Sequence, residues 1–318
     1  MEAHLNYKVK SRLFDKEGYC IVDKVLDVKE INYLRSSLEV EFVKNNNPLN
    51  LLLDKIENQE IIKLIFKTIR GSKIQNLINT FKQQTNLNLS ILPYFLIQRN
   101  YHVNQVKNLG WHRDCDGELI YDYCKNILNT SNYYFAKVGI YLQDNNDFGG
   151  GVDLIPRTHL YIKKENYFFR KLQGLRLFII NKIFNIFPWV FRIINEKFFM
   201  KILKGKTMPT LKGDCVFFDS RLVHRGSLID EKIFKNIQFS QEYQANTIPK
   251  EKTKYSFYAH FGSVEGIDSF MYDRLKRDKN ELKLWNNQIN FVKKYSLNFS
   301  KEMESLMLII NNKYKEYL

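Results

Sequence analysis

Cysteine is scarce and scattered. Cys20, Cys115, Cys124 and Cys215 form no C-x-x-C pair, which argues against a disulfide framework or a thiolate zinc site and fits a reducing cytoplasm. Long hydrophobic runs are missing too. The opening MEAHLNYKVKSRLF lacks the apolar stretch of a signal peptide, and no run of uncharged apolar residues is long enough to span a bilayer, so the expectation is a soluble, cytoplasmic protein. No internal repeat or low-complexity linker divides the chain, which favours one domain over residues 1–318. Acidic residues are the minority, 34 against 49 Lys+Arg. The net charge of +15 implies attraction to nucleic acid, a membrane surface or a phosphorylated substrate, unless the lysine excess only solvates the surface.

What is present is ample core material, 44% apolar and 14% aromatic, which excludes wholesale disorder. GYCIV at 18–22 reads as a short strand. Asp27 with Glu30 forms a capping-box start to a helix through INYLRSSLEVEFVK. A second helical stretch is expected over about 55–83. Short β-like runs follow: ILPYFLIQRNY, FAKVGIYLQ, GVDLIP, DCVFFD at 214–219, IFKNIQFSQEY at 233–243 and KYSFYAHF at 254–261. The tail from about 267 to 318 is helical in rhythm. Helices at both ends of a strand cluster predict an α+β protein with a sandwich or barrel at its centre. Residues 161–208 interrupt the strands and hold only two acids, Glu165 and Glu196; they read as a helical insertion.

The strongest local signal is GWHRDCDG at 110–117. On an extended segment His112 and Asp114 project to one face, offering an imidazole and a carboxylate to a divalent metal. A third ligand, usually a histidine, completes the facial triad of non-haem iron oxygenases and leaves three positions open. By itself H-x-D is also what a surface histidine beside a solvated aspartate looks like. The candidate third ligand is His224 in KGDCVFFDSRLVHRGS, just beyond a buried strand. His159 also follows a strand, in GGGVDLIPRTH, where glycines imply a tight turn and Pro156 a rigid exit.

Together GWHRD, GGGVDLIPRTH and GDCVFFDSRLVHRGS resemble the phytanoyl-CoA dioxygenase family of iron(II)/2-oxoglutarate oxygenases, as does the opening EGYCIVDKVLDVKEINYL. The likeness covers roughly residues 12–45 and 90–245, and three ordered motifs are far more specific than one. It implies a double-stranded β-helix, a jelly-roll or cupin-like core flanked by N- and C-terminal helices. It also implies Fe(II) on His112, Asp114 and His224, with 2-oxoglutarate and dioxygen as cosubstrates. The Gly149–Gly151 turn and Pro156–His159 would shape the rim, with His159 structural. Related halogenases replace the carboxylate with a small residue, so Asp114 points to hydroxylation.

One position departs from the family. An arginine usually stands eleven residues after the distal histidine to grip 2-oxoglutarate; here it is Lys235. On a strand over 233–239 Lys235 shares a face with Ile233, Ile237 and Phe239. A lysine there either meets the cosubstrate carboxylate, as a point charge rather than a fork, or snorkels from an edge strand. Gln98 and Tyr141 are pocket residues by motif order, or ordinary sheet filling. Arg225 is placed to meet an anionic substrate, and Arg221 to pair with Asp219.

In the insertion, Lys171, Lys182, Asn185, Arg192 and Glu196 keep to one helical stripe, and Leu177, Phe178, Ile180, Phe184, Phe187, Trp189 and Phe191 fill the remainder. Pro188 is expected to kink or split the helix. A basic, aromatic-rich element over 165–205 is a peripheral membrane anchor, a lid over a greasy substrate, or a packed cap. The favoured reading is hydroxylation of a C–H bond on a small-molecule, lipid-linked or carrier-linked substrate. A non-catalytic binding protein on the same fold is the alternative. Nucleic-acid demethylation is disfavoured, because no basic stripe interleaves with stacking aromatics near the motifs.

Overall fold

The computed structural model describes residues 2–46, 50–87, 89–100, 111–114, 135–145, 151–162, 167–186, 196–227, 253–295 and 297–317. Four helices lead: α1 (Glu2–Glu17), α2 (Val28–Lys44), α3 (Gln59–Ile69) and α4 (Ser72–Thr85). α2 starts where the sequence places it. The Asp27 side chain accepts from the Glu30 amide at 2.8 Å and the Glu30 carboxylate accepts from the Asp27 amide at 2.9 Å, which satisfies two otherwise orphaned donors. The single helical stretch expected over 55–83 is two helices, α3 and α4, parted at Arg70–Gly71. The Gly71 amide donates back to Thr68 O, and a Cβ there would sit 2.9 Å from that oxygen.

Nine strands are described: β1 (Tyr19–Val22), β2 (Asn50–Leu52), β3 (Leu89–Asn100), β4 (Phe135–Tyr141), β5 (Val152–Ile155), β6 (Lys206–Thr207), β7 (Cys215–Asp219), β8 (Val223–Gly226) and β9 (Lys254–Ser263). They form two antiparallel sheets, ordered β1-β7-β4-β9-β3-β2 and β6-β5-β8. With helices packed outside, this is the expected α+β architecture with a double-stranded β-helix core. The β3–β9 ladder shifts register between Leu92 and Leu96, where Pro93 has no amide to donate. The strand expected over 233–243 lies outside the described residues.

Register sorts the large sheet into two faces. Cys20, Phe217, Val138 and Ala259 stand in one row and join the core under α1–α4, with Leu34, Phe42, Ile65 and Phe81. The neighbouring rows face inward. One runs Tyr19–Phe218–Lys137–His260, the next Ile21–Val216–Gly139–Tyr258. A third aligns Tyr141, Ser256, Gln98 and Asn50. Tyr141, Val216, Phe218, Val152, Leu154 and Leu222 pack between the sheets. Three helices close the chain: α7 (Val264–Arg277), α8 (Glu281–Tyr295) and α9 (Leu297–Lys313). Their apolar faces meet Leu92 and Phe135, covering one end of the inner face.

Within 161–208 the described residues are mostly helical, with β6 near the end. The two described helices there are α5 (Tyr167–Ile186) and α6 (Glu196–Leu203); Pro188 lies outside the described residues. Leu177 of α5 and Leu203 of α6 rest on Trp111, Ile155 and Val223, behind the small sheet. Among the described residues no helix is long and apolar enough to cross a membrane.

Candidate metal centre

β7 ends at Asp219, and the chain reverses at once into β8 through a turn in which the Leu222 amide donates to Asp219 O at 2.9 Å. Asp219 holds that turn. Its carboxylate accepts from the Arg221 amide at 2.8 Å and from the Arg221 guanidinium, the pairing the sequence suggests. Burial would raise the Asp219 carboxyl, but Arg221 overrides it and holds it below the usual range. Val223 N adds a bond to Thr158 Oγ1 at 2.8 Å. His224 is therefore presented by a braced two-strand corner.

Residues 111–114 lie alongside this corner. His112 N donates to His224 O, and His224 N to His112 O, each at 2.9 Å. Asp114 N donates to Ser220 O at 3.1 Å. The backbone ladder thus brings the imidazole of His112, the carboxylate of Asp114 and the imidazole of His224 to one face, their ligand atoms all within 4.8 Å of one another. His224 Nε2 stands 3.5 Å from Asp114 Oδ1, and His112 Nε2 3.9 Å.

The donor set suits a divalent metal. His224 Nδ1 lies 2.9 Å from Leu222 O, which fixes the proton on Nδ1 and leaves the Nε2 lone pair facing the cluster. Among the described residues that Nε2 is buried without a hydrogen-bond partner, a costly arrangement unless a ligand completes it. Two imidazoles and one carboxylate are the facial set of non-haem Fe(II) sites. Burial would raise the Asp114 carboxyl. Lys137 outweighs it and holds the group well below the ordinary carboxylate range, so it is an anion ready to ligate.

The cluster includes a residue absent from the sequence reading. Lys137 Nζ lies 3.3 Å from Asp114 Oδ1 and over the rings of Tyr258, at 4.9 Å, and Phe218, at 5.8 Å. Its signal was available: one lysine in the apolar run FAKVGIY, in phase with Gly139 and Tyr141. Gly139 is the next inward position. A Cβ there would come 3.0 Å from both Tyr141 Oη and Tyr258 Cε1, so the glycine lets the two tyrosines close in beside Lys137.

The other expected site residues fall as follows. Tyr141 is buried on the inner face, and burial, with the neighbouring Tyr258, pushes its pKa well up. Gln98 is inward by register, and its Nε2 donates to Asn50 Oδ1 at 3.2 Å. Arg225 is not brought to the cluster. Cross-strand pairing puts His224 opposite Leu154 and Arg225 opposite Asp153, so the two side chains leave opposite faces of the sheet. Arg225 Nε donates to Asp153 Oδ2 at 2.9 Å, and its guanidinium lies over Trp111 at 4.6 Å. His159 is likewise outside the cluster; its Nε2 is 3.1 Å from Asp15 O, and its ring abuts Gly18. Of the rim glycines only Gly151 is described, its amide donating to Asn145. Lys235 lies outside the described residues.

A second inward lysine is placed. Lys254 opens β9 in phase with Ser256, Tyr258 and His260, opposite Asn100. It is 3% exposed, and among the described residues its Nζ has no hydrogen-bond partner. Burial pushes its ammonium down to about 6. The sequence signal was a lysine opening TKYSFYAHFGS on the polar phase of the strand.

No family profile matches the sequence, and comparison with curated proteins finds no relative. Among solved structures, the chain resembles the non-heme alpha ketoglutarate dependent carbocyclase SnoK from nogalamycin biosynthesis, at 14% identity over 81% of this chain and 84% of that one, TM-score 0.47. It also resembles the epimerase SnoN from the same biosynthesis, at 11% identity over 82% and 84%, TM-score 0.45. A third is EctD from S. alaskensis, solved with 2-oxoglutarate and 5-hydroxyectoine, at 10% over 81% and 76%, TM-score 0.45. Similarity this distant carries no argument; the fold rests on the strand order and the chemistry on the side chains above.

Proposed function

We propose that the protein is an iron(II)- and 2-oxoglutarate-dependent oxygenase of the phytanoyl-CoA dioxygenase type, hydroxylating a C–H bond of a small, lipid-linked or carrier-linked molecule. The observation that carries this is the convergence of His112, Asp114 and His224, with the His224 Nε2 buried and unsatisfied. Bound iron with 2-oxoglutarate and dioxygen supplies the oxidation: one oxygen atom goes to the substrate, the other to succinate, with release of carbon dioxide.

The chain's own residues hold and aim the reactants. The Leu222 carbonyl keeps His224 in the ligating tautomer. Lys137 keeps Asp114 ionised. Tyr141, Tyr258, Val216 and Phe218 are buried beside it and exclude water. Lys254 is the described residue suited to the distal carboxylate of 2-oxoglutarate. It lies four residues along β9 from Tyr258, on the same inward face. Lys235, eleven residues after His224, is the competing anchor.

Anaerobic addition of Fe(II) and 2-oxoglutarate is expected to produce the weak visible charge-transfer band of a keto-acid chelate. Admission of air then yields succinate only when iron is present. Neither band nor succinate with the metal-loaded protein would reduce the chain to a binding protein on this fold.

A further inference from the structure

Exposed apolar side chains are concentrated on the insertion. Phe168, Phe169, Leu175, Phe178 and Ile179 of α5 are all exposed, Phe168 at 71%, as are Phe198 and Ile202 of α6. At 100° per residue, Phe168, Leu175 and Ile179 form one stripe, within about 40° of each other. Gly174 and Leu177, on the opposite side, are buried. Here the helix inverts the usual soluble pattern: its outward face has an apolar centre. Lys171 and Lys182 flank that centre on one side and Arg176 on the other, all exposed. The side chains of Phe184, Phe187, Trp189 and Phe191 lie outside those described.

Charge complementarity selects the occupant. Residues 161–208 hold eleven lysines and arginines against Glu165 and Glu196. A protein partner's apolar patch would match the stripe but not the flanking cations. An anionic bilayer surface matches both, taking the phenylalanines into the acyl boundary and the basic side chains at the headgroups. α5 also connects to the metal centre. Its buried side sets Leu177 against Trp111, and Arg113 Nη2 donates to Gln173 Oε1 at 3.3 Å, so the helix grips the residues on either side of His112.

We infer that the outward face of α5 docks on an anionic lipid surface, holding the metal centre one helix away from the bilayer. The docking is independent of the oxygenase reading, since it requires neither iron nor 2-oxoglutarate.

The full chain is sedimented with phosphatidylcholine vesicles and with mixed phosphatidylcholine–phosphatidylglycerol vesicles, at low and high salt. Partitioning is expected to be about 10–100-fold stronger on the anionic vesicles, with a residue of binding surviving high salt through apolar insertion. The double variant Arg176→Glu/Lys182→Glu is expected to lose the anionic preference. Phe168→Ser/Ile179→Ser is expected to lose the salt-resistant part. Unchanged thermal melting shows that both variants fold, as their exposure implies. Equal partitioning on the two vesicle types, or none, overturns the inference. So does a concentration-dependent dimer that the Phe168→Ser/Ile179→Ser variant abolishes, which would make the stripe a contact between copies of the chain. Iron-dependent succinate formation is read separately, so a failure of docking and a failure of the oxygenase reading are told apart.

Discussion

His112 and His224, more than a hundred residues apart in sequence, exchange two backbone hydrogen bonds at 2.9 Å, and their rings lie 4.3 Å between centroids. The pairing fixes both imidazoles on one face before any metal arrives, so the site is built by the backbone ladder rather than by the ion. Losing one ligand should therefore cost metal affinity more than fold. His224→Ala and Asp114→Ala are each expected to weaken Fe(II) or Co(II) binding at least about 100-fold, by the scale of lost coordination. Calorimetric titration of the metal measures this. Retained affinity in either variant would place the ion elsewhere.

Gly139 tests the close packing beside Lys137. Gly139→Val puts branched carbon where a Cβ already sits 3.0 Å from Tyr141 Oη and Tyr258 Cε1. Overpacking of this kind costs about 1–3 kcal/mol. The expected outcome is a folded, less stable protein that binds metal but has lost the 2-oxoglutarate chelate band. An unaltered band would move the cosubstrate away from Gly139.

Lys254 gives a pH dependence with a definite sign. Burial holds its folded pKa near 6, while a free lysine titrates near about 10.4. The folded state thus binds fewer protons than the unfolded state between those values. The resulting penalty is full below about pH 6 and fades as pH rises toward 10. Lys254→Met is expected to be more stable at neutral pH by a few kcal/mol, on the order that such linkage allows, and to lose the upward slope of stability with pH. If Lys254 anchors 2-oxoglutarate, the wild type takes up a proton on binding it at pH 8, and Lys254→Met binds it weakly. Strong cosubstrate binding by that variant, together with loss in Lys235→Ala, assigns the anchor to Lys235.

The buried pair Arg225–Asp153 separates a scaffold from a substrate contact. Asp153 also accepts from Ser227 Oγ at 2.9 Å and Thr207 Oγ1 at 2.8 Å, so removing the arginine leaves a buried, still-bonded anion. Arg225→Ala is expected to cost about 3–5 kcal/mol, read by denaturant unfolding, with substrate-free succinate formation unchanged per folded molecule. A small stability change with a large rise in KM would return Arg225 to substrate binding.

The sequence by itself determined the parts whose physics is local. The Asp27–Glu30 box sets the start of α2 because a capping box needs only four residues. The H-x-D spacing of His112 and Asp114 puts both ligands on one face because strand side chains alternate with period two. Tertiary structure decided what register controls. Arg225 and His224 are neighbours in sequence, yet β5 pairing sends one to Asp153 and the other to the metal face. Lys137 and Lys254 are ordinary strand lysines until β4 and β9 turn them inward. The insertion's helical period was legible, but which of its aromatics face solvent depended on Leu177 finding Trp111. A helix has no preferred outside until something covers its other side.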